Sequence, residues 1–268
     1  MGLNLSDSVK EIFRQVTDLT DKGFEFIEKR DLPTHGTVKV ARESMPKHLV
    51  FYKNASDDVL NHIFAHESGH ILRMFSVDKS NRVIPFTNDS YKKIALEQME
   101  SDITSLSRRM QFEHLVRILD IWYTGLVRQV TNMAPDIMIE KWIYEGFPEL
   151  RPMQLASIKR QHSEAVVGLS KRMKDITPLK IYDSANIMNF VFFAMLSEVI
   201  NSNFKGAFLS TPYPGRSAAL LEITKTEYEN SYIGDVEMIN RWASFLGIDG
   251  WFGWRDFEDV PESYLRSH

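Results

Sequence analysis

The sequence predicts an α+β fold that is mostly α-helical, and three observations carry that expectation. Apolar residues recur at helical spacing through most of the 268 residues. Two short segments, Thr37–Ala41 and Lys47–Tyr52, alternate as strands do and stand close enough to form an antiparallel pair. Immediately after them, the run His66-Glu67-Ser68-Gly69-His70 sits inside an amphipathic helical segment. The expected order is therefore a helix, a small antiparallel sheet, the H-E-x-x-H helix and a helical C-terminal part. The turn-rich stretch Glu145–Pro152 suggests a core domain over residues 1–150 and a helical subdomain over 151–268 packed on it.

Taken in order, Ser8–Leu19 reads as a helix, with Ser8 and Glu11 in a capping-box relation and Val9, Ile12, Phe13, Val16 and Leu19 on one face. Gly23 interrupts it, and Asp31–Gly36 is a turn before the strand pair. Asn54 or Ser56 can cap the next helix, and Asp57 and Asp58 suit the positive end of its dipole. Its apolar stripe is wide, from Val59, Leu60, Ile63 and Phe64 to Ile71, Leu72, Met74 and Phe75. Tyr91–Met110 returns to helical periodicity, and Asn132–Tyr144 reads as a helix with Pro135 in its first turn. Beyond the boundary, Gln154–Lys174 is a helical stretch with a solvated basic face. Ala185–Ile200 is apolar enough for a buried core helix, and Ser217–Tyr228 and Asp235–Leu246 are amphipathic. The aromatic cluster Gly250–Trp254 is expected to pack back over the core.

Composition narrows the chemistry. With no cysteine there are neither disulfides nor thiolate metal sites, so any zinc must be held by His, Asp or Glu. A formal charge of −4 gives no general attraction to nucleic acid or anionic lipid, so nucleic acid is not an expected partner. The most apolar run, Phe190–Leu196, is far short of a membrane span, and Met1–Asp7 lacks the features of a secretory signal. The expectation is a soluble, cytoplasmic protein with no membrane partner.

On an α-helix His66 and His70 lie one turn apart on the same face and can present two imidazole nitrogens to one cation, for which Zn2+ is the best fit. Glu67, turned away round the helix, is left to take a proton from an activated water. A catalytic zinc usually has three protein ligands, so a third belongs downstream. In Glu97–Asp102 the residue four before Asp102 is Gln98, which leaves Glu97 and Glu100 out of register and suggests a solvated acidic face. Asp136 and Glu140 are the better candidates: four apart, they project from one face of an apolar helix, so one can bind the metal while the other orients a ligand histidine. Spacing does not choose between them. The bland alternative makes Asp136 a dipole partner and Glu140 an exposed mate for Lys141 or Lys159.

The H-E-x-x-H segment resembles the active-site helix of the zincin metallopeptidases, including the glycine before the second histidine. With the order of elements before it, the resemblance extends to a compact, gluzincin-like intracellular type. It implies His66 and His70 as zinc ligands, Glu67 as general base and proton shuttle, and zinc-dependent hydrolysis of a peptide or amide bond in a peptide or protein substrate. An Asn-x-x-x-Asp pattern seen in some such proteins favours Asp136 as third ligand, whereas longer reach favours Glu140. The resemblance also implies an edge strand that pairs with substrate, for which Leu49–Tyr52 is the candidate. Gly69 costs a mid-helix position about 1 kcal/mol, which close approach of another backbone would offset. His62, one turn earlier, reads as a supporting or surface histidine, and Tyr123, Tyr144, Tyr182 or His162 could steady an oxyanion. Two other classes remain: a regulatory or interaction protein on a zincin scaffold without turnover, and a helical nucleic-acid-associated protein in which the motif is accidental.

Overall fold

The computed structural model describes residues 3–32, 36–54, 59–209 and 214–260. Its elements make an α+β protein that is mostly helical. The first helix, α1 (Asp7–Thr20), is capped by Ser6, whose side chain accepts from the Val9 amide at 3.3 Å. Ser8 is therefore not the cap. It lies inside the first turn, where its hydroxyl donates to Glu149 at 2.7 Å, and the earlier start lets Asp7 sit at the positive end of the helix dipole. The helix ends at Asp21, in the left-handed region at φ 54°.

Gly23 then opens a strand, β1 (Gly23–Glu28), which the sequence reading passed over. β2 (Gly36–Lys39) and β3 (Lys47–Tyr52) pair antiparallel as expected, with Val38 opposite Val50. β1 pairs parallel with the other side of β3, giving the order β1-β3-β2. Leu49–Tyr52 is therefore in the central strand, with both sides hydrogen-bonded. It cannot be the edge that receives a substrate backbone, a correction the missed strand explains.

The H-E-x-x-H helix is α2 (Leu60–Phe75), with Val59 at its N-cap position and no side-chain cap. Asn54 is thus too far back to cap it; Ser56, Asp57 and Asp58, also named for that end, lie outside the described residues, as do residues 33–35 of the expected turn. A short strand, β4 (Val83–Phe86), precedes α3 (Asp89–Gln98) and α4 (Glu100–Ser107). Then comes α5 (Phe112–Gly146), in which Pro135 is interior and not in the first turn. Proline has no N–H for the carbonyl of Thr131, so α5 runs on despite one missing bond, and its burying face holds the register. Beyond it are α6 (Arg151–Gly168), α7 (Lys171–Ile176), α8 (Leu179–Ile200), α9 (Pro214–Glu227), α10 (Tyr232–Leu246) and β5 (Gly253–Asp256), which pairs with β4. Among the described residues no helix is long and apolar enough to cross a membrane.

The chain divides into two units that are not consecutive in sequence. The first comprises residues 1–84, 138–160 and 255–268, the second residues 85–137 and 161–254. The expected boundary between 150 and 151 falls inside the first unit.

The first unit has a core of Val9 and Ile12 from α1, Val50 and Tyr52 from β3, Leu60, Phe64 and Ala65 from α2, and Ile139 and Ile143 from the end of α5. Phe13 lies against Phe24 and Phe26 of β1, with ring centroids 4.3 and 5.3 Å apart, and Phe26 against Phe64 at 5.4 Å. In the second unit α8 is buried on nearly every side, and Phe193 stacks on Phe208 at 5.5 Å. Trp251 and Phe252 are buried there too, so the late aromatic cluster packs inward as expected.

One buried group in the first unit makes stability pH-dependent. His48 of β3 is fully buried; its Nδ1 accepts the Ala41 amide at 3.0 Å, which places its proton on Nε2, 3.1 Å from Thr20 Oγ1. Burial, reinforced by the Lys22 ammonium, pushes its pKa down from 6.5 to about 4. Between those values the unfolded chain binds a proton that the folded one refuses. Stability is then highest above pH 6.5 and falls on acidification, by on the order of 3 kcal/mol once pH 4 is reached. Urea titrations from pH 7.5 to 4 should show this slope in the wild type and a shallower one in His48→Gln. Equal slopes would remove His48 as the cause.

Candidate metal centre

α2 carries three histidines at successive turns, His62, His66 and His70, and the ring centroids of neighbours are 6.1 and 5.1 Å apart. His62 is buried, whereas His66 and His70 are half-buried, at the edge of the apolar stripe. Glu67 is half-buried and lies about 100° round the helix from His66.

Packing of α2 on the C-terminal part of α5 requires Gly69. A Cβ there would lie 2.7 Å from Ile139 Cγ2 and 3.2 Å from its Cγ1. The close approach is real, but the neighbour is a branched side chain and not the backbone expected. Ile139 is stiff at χ1 and fully buried, so it has little room to yield.

That contact brings Glu140 against the histidines. Its carboxylate is 2 % exposed and accepts from His66 Nδ1 at 2.9 Å and from His62 Nε2 at 3.0 Å. Gln154 Nε2, also buried, donates to the same carboxylate at 2.6 Å and to the Glu140 carbonyl at 2.8 Å. An exposed Glu140 paired with Lys141 or Lys159 is thereby excluded. Burial alone would raise the Glu140 pKa, but the charges and hydrogen bonds of His62 and His66 outweigh it and hold the carboxyl below the usual carboxylate range. Glu140 is thus an ionised, buried acceptor that fixes two imidazoles.

His62, His66 and Glu140 together could hold a metal ion, since their ligand atoms lie within 4.8 Å of one another. The spacing suits a proton better. Two ligands on one tetrahedral zinc, with bonds of about 2.0–2.1 Å, stand roughly 3.3 Å apart, whereas 2.9 Å is a hydrogen-bond length. With Nδ1 of His66 given to Glu140, a cation would be met through Nε2. This is the arrangement by which carboxylates orient metal-binding histidines.

Asp136 stands one turn before Glu140 on the same face of α5, within the second unit. The acids on α3 and α4 go elsewhere: Glu97 and Glu100 are exposed, and Asp102 accepts from the Leu179 amide at 2.7 Å. The four residues considered for an oxyanion are also engaged. Tyr123 donates to the Trp251 carbonyl, Tyr182 to that of Leu169, His162 meets the Phe204 carbonyl, and Tyr144 lies under the Arg151 guanidinium.

Gln154 is the site residue that sequence reasoning did not single out. Nothing in Arg151-Pro-Met-Gln154 sets it apart from a surface glutamine; only the fold places it under Glu140. A scan against protein-family models and searches of curated proteins and of solved structures give no match for this chain.

Proposed function

We propose that this protein is a zinc-dependent peptide or amide hydrolase built on a zincin-like core. The observation that supports it best is the grip of buried Glu140 on Nδ1 of His66, the first histidine of the H-E-x-x-H run. A histidine so held is pre-aligned to offer Nε2 to a cation, and such support usually serves a metal. His66 and His70 supply two nitrogens, and the carboxylate oxygens of Glu140 are taken by imidazole and amide donors. An N/O donor set without thiolate suits zinc with a position left for substrate.

Zinc bound by such a set supplies Lewis acidity, toward both water and a carbonyl. Glu67 takes the proton of the attacking water and returns it to the leaving amine. Glu140 and Gln154 keep His66 in one tautomer and one orientation. The substrate is a peptide or protein.

Elemental analysis of untagged protein tests this reading. Wild type should carry near-stoichiometric zinc, lost in His66→Ala and in His70→Ala. Glu140→Gln should keep the site with about 10–100-fold weaker affinity. A wild type that takes up no zinc, even after incubation with it, would overturn the proposal.

A further inference from the structure

The first unit buries a charged group that the histidine cluster does not use. Arg42 stands in the connection between β2 and β3 and is only 7 % exposed. Its Nε and Nη2 atoms are closed to solvent and have no hydrogen-bond partner among the described residues. These two donors form one edge of the guanidinium, the fork that meets both oxygens of a carboxylate. Unlike a buried acid, an arginine cannot shed its charge to escape burial. A fork left in this state is costly unless an oxyanion fills it.

The surroundings attract the guanidinium without giving it an acceptor. Its carbon lies 5.9 Å from the ring centroid of Phe257, which packs edge-on to Phe75 at 6.3 Å. A ring face is a weaker partner than a carboxylate oxygen. The carboxylates next along the chain to Arg42 and Phe257 are engaged elsewhere: Glu43 pairs with Lys79, and Glu258 accepts from the Glu43 amide at 3.3 Å. Asp256 accepts from the Glu258 amide at 3.0 Å. The Lys22 ammonium donates to the carbonyls of Glu43 and Met45, at 3.0 and 2.6 Å, so this connection meets a second cation.

We infer that the Nε–Nη2 edge of Arg42 is a receptor for a carboxylate, held by both oxygens while Phe257 lies against the guanidinium. The site is built from the first unit alone and does not rest on the hydrolase reading. A monoanion suits it better than phosphate, because the charges of Glu43, Glu258 and Asp256 already gather at Lys79, which pairs with the residue after Arg42. Since the fork is closed, residues 40–46 must move aside to admit the ligand, and association is slower than for an open site.

The probes are propionate, inorganic phosphate and a tripeptide with its C-terminus either free or amidated, at constant ionic strength. Wild type is compared with Arg42→Met and Arg42→Lys by titration calorimetry and thermal unfolding. Propionate or the free-acid tripeptide should raise the wild-type unfolding midpoint, and the tighter of the two names the source, a small acid or a chain end. At a hundred times its dissociation constant such a ligand shifts the folding equilibrium about 100-fold. Affinity should fall about 10–100-fold in Arg42→Met, and Arg42→Lys, which keeps the charge without the fork, should lose most of it too. Without ligand, Arg42→Met should unfold at or above the wild-type midpoint, because an apolar stem replaces an uncompensated buried charge. Carboxylates that neither bind wild type nor shift its midpoint would overturn the inference. So would equal binding to Arg42→Met, tighter binding of phosphate than of either carboxylate, or an Arg42→Met that unfolds well below wild type without ligand. None of these readouts involves zinc, so the hydrolase reading stands or falls separately.

Discussion

Glu67→Gln should lower the hydrolysis of fluorescence-quenched peptides by about 10²–10⁴-fold, the usual worth of a general base, while zinc content and unfolding midpoint stay at wild-type values. Glutamine keeps the shape and half-buried position of Glu67 but cannot accept a proton at neutral pH. The role assigned to Glu67 is transfer of a proton in the transition state, so kcat should carry the loss and KM should change little. Unchanged turnover would show that another group moves the proton, and the H-E-x-x-H run would then have to be explained by its histidines alone.

Glu140→Ala should be the most destabilising of the substitutions considered. A buried donor left without its acceptor costs about 1–3 kcal/mol. Here a single carboxylate, itself only 2 % exposed, serves His62, His66 and Gln154, and its removal strands all three donors. Urea titration with EDTA present isolates this effect from metal binding. A loss below about 1 kcal/mol, the range of an exposed pair, would mean that the carboxylate is not the buried clamp described. Glu140→Gln, which keeps the volume, should fall between alanine and wild type.

Much of this architecture was legible because it repeats a local rule along the chain. The stripe from Leu60 to Phe75 gives α2, the alternation in Lys47–Tyr52 gives β3, and the apolar run before Ile200 gives a buried helix. What failed depended on comparison between near-equal local signals or on distant partners. Ser6 and Ser8 are both competent caps, and the choice between them is made by where α1 packs. β1 alternates in Phe24-Glu-Phe26, yet its pairing with β3 is parallel and non-consecutive, so no hairpin signal announces it. Pro135 starts helices more often than it interrupts them, and the residues that carry α5 through it lie on both sides.

The candidate site divides along the same line. His66, Glu67 and His70 are legible because one turn of helix sets their relation, and the pair Asp136 and Glu140 for the same reason. Which of the two acids holds the histidines was not, since this turns on which one His62 and Gln154 reach. His62 is 78 residues from Glu140 in sequence, and Gln154 is a further 14 beyond it.

The interleaving of the two units has a consequence for biosynthesis. When α2 leaves the ribosome its histidines face a gap, because the carboxylate that seats His66 arrives 74 residues later and its glutamine prop later still. The first unit cannot close from its N-terminal segment alone; it must wait until residues 138–160 have been made, with the first part of the second unit synthesised in between. Long-range closure of this kind slows folding. It also means that a nascent or truncated chain carries the motif without its support, so the cluster of His62, His66 and Glu140 is assembled only after more than half of the polypeptide exists.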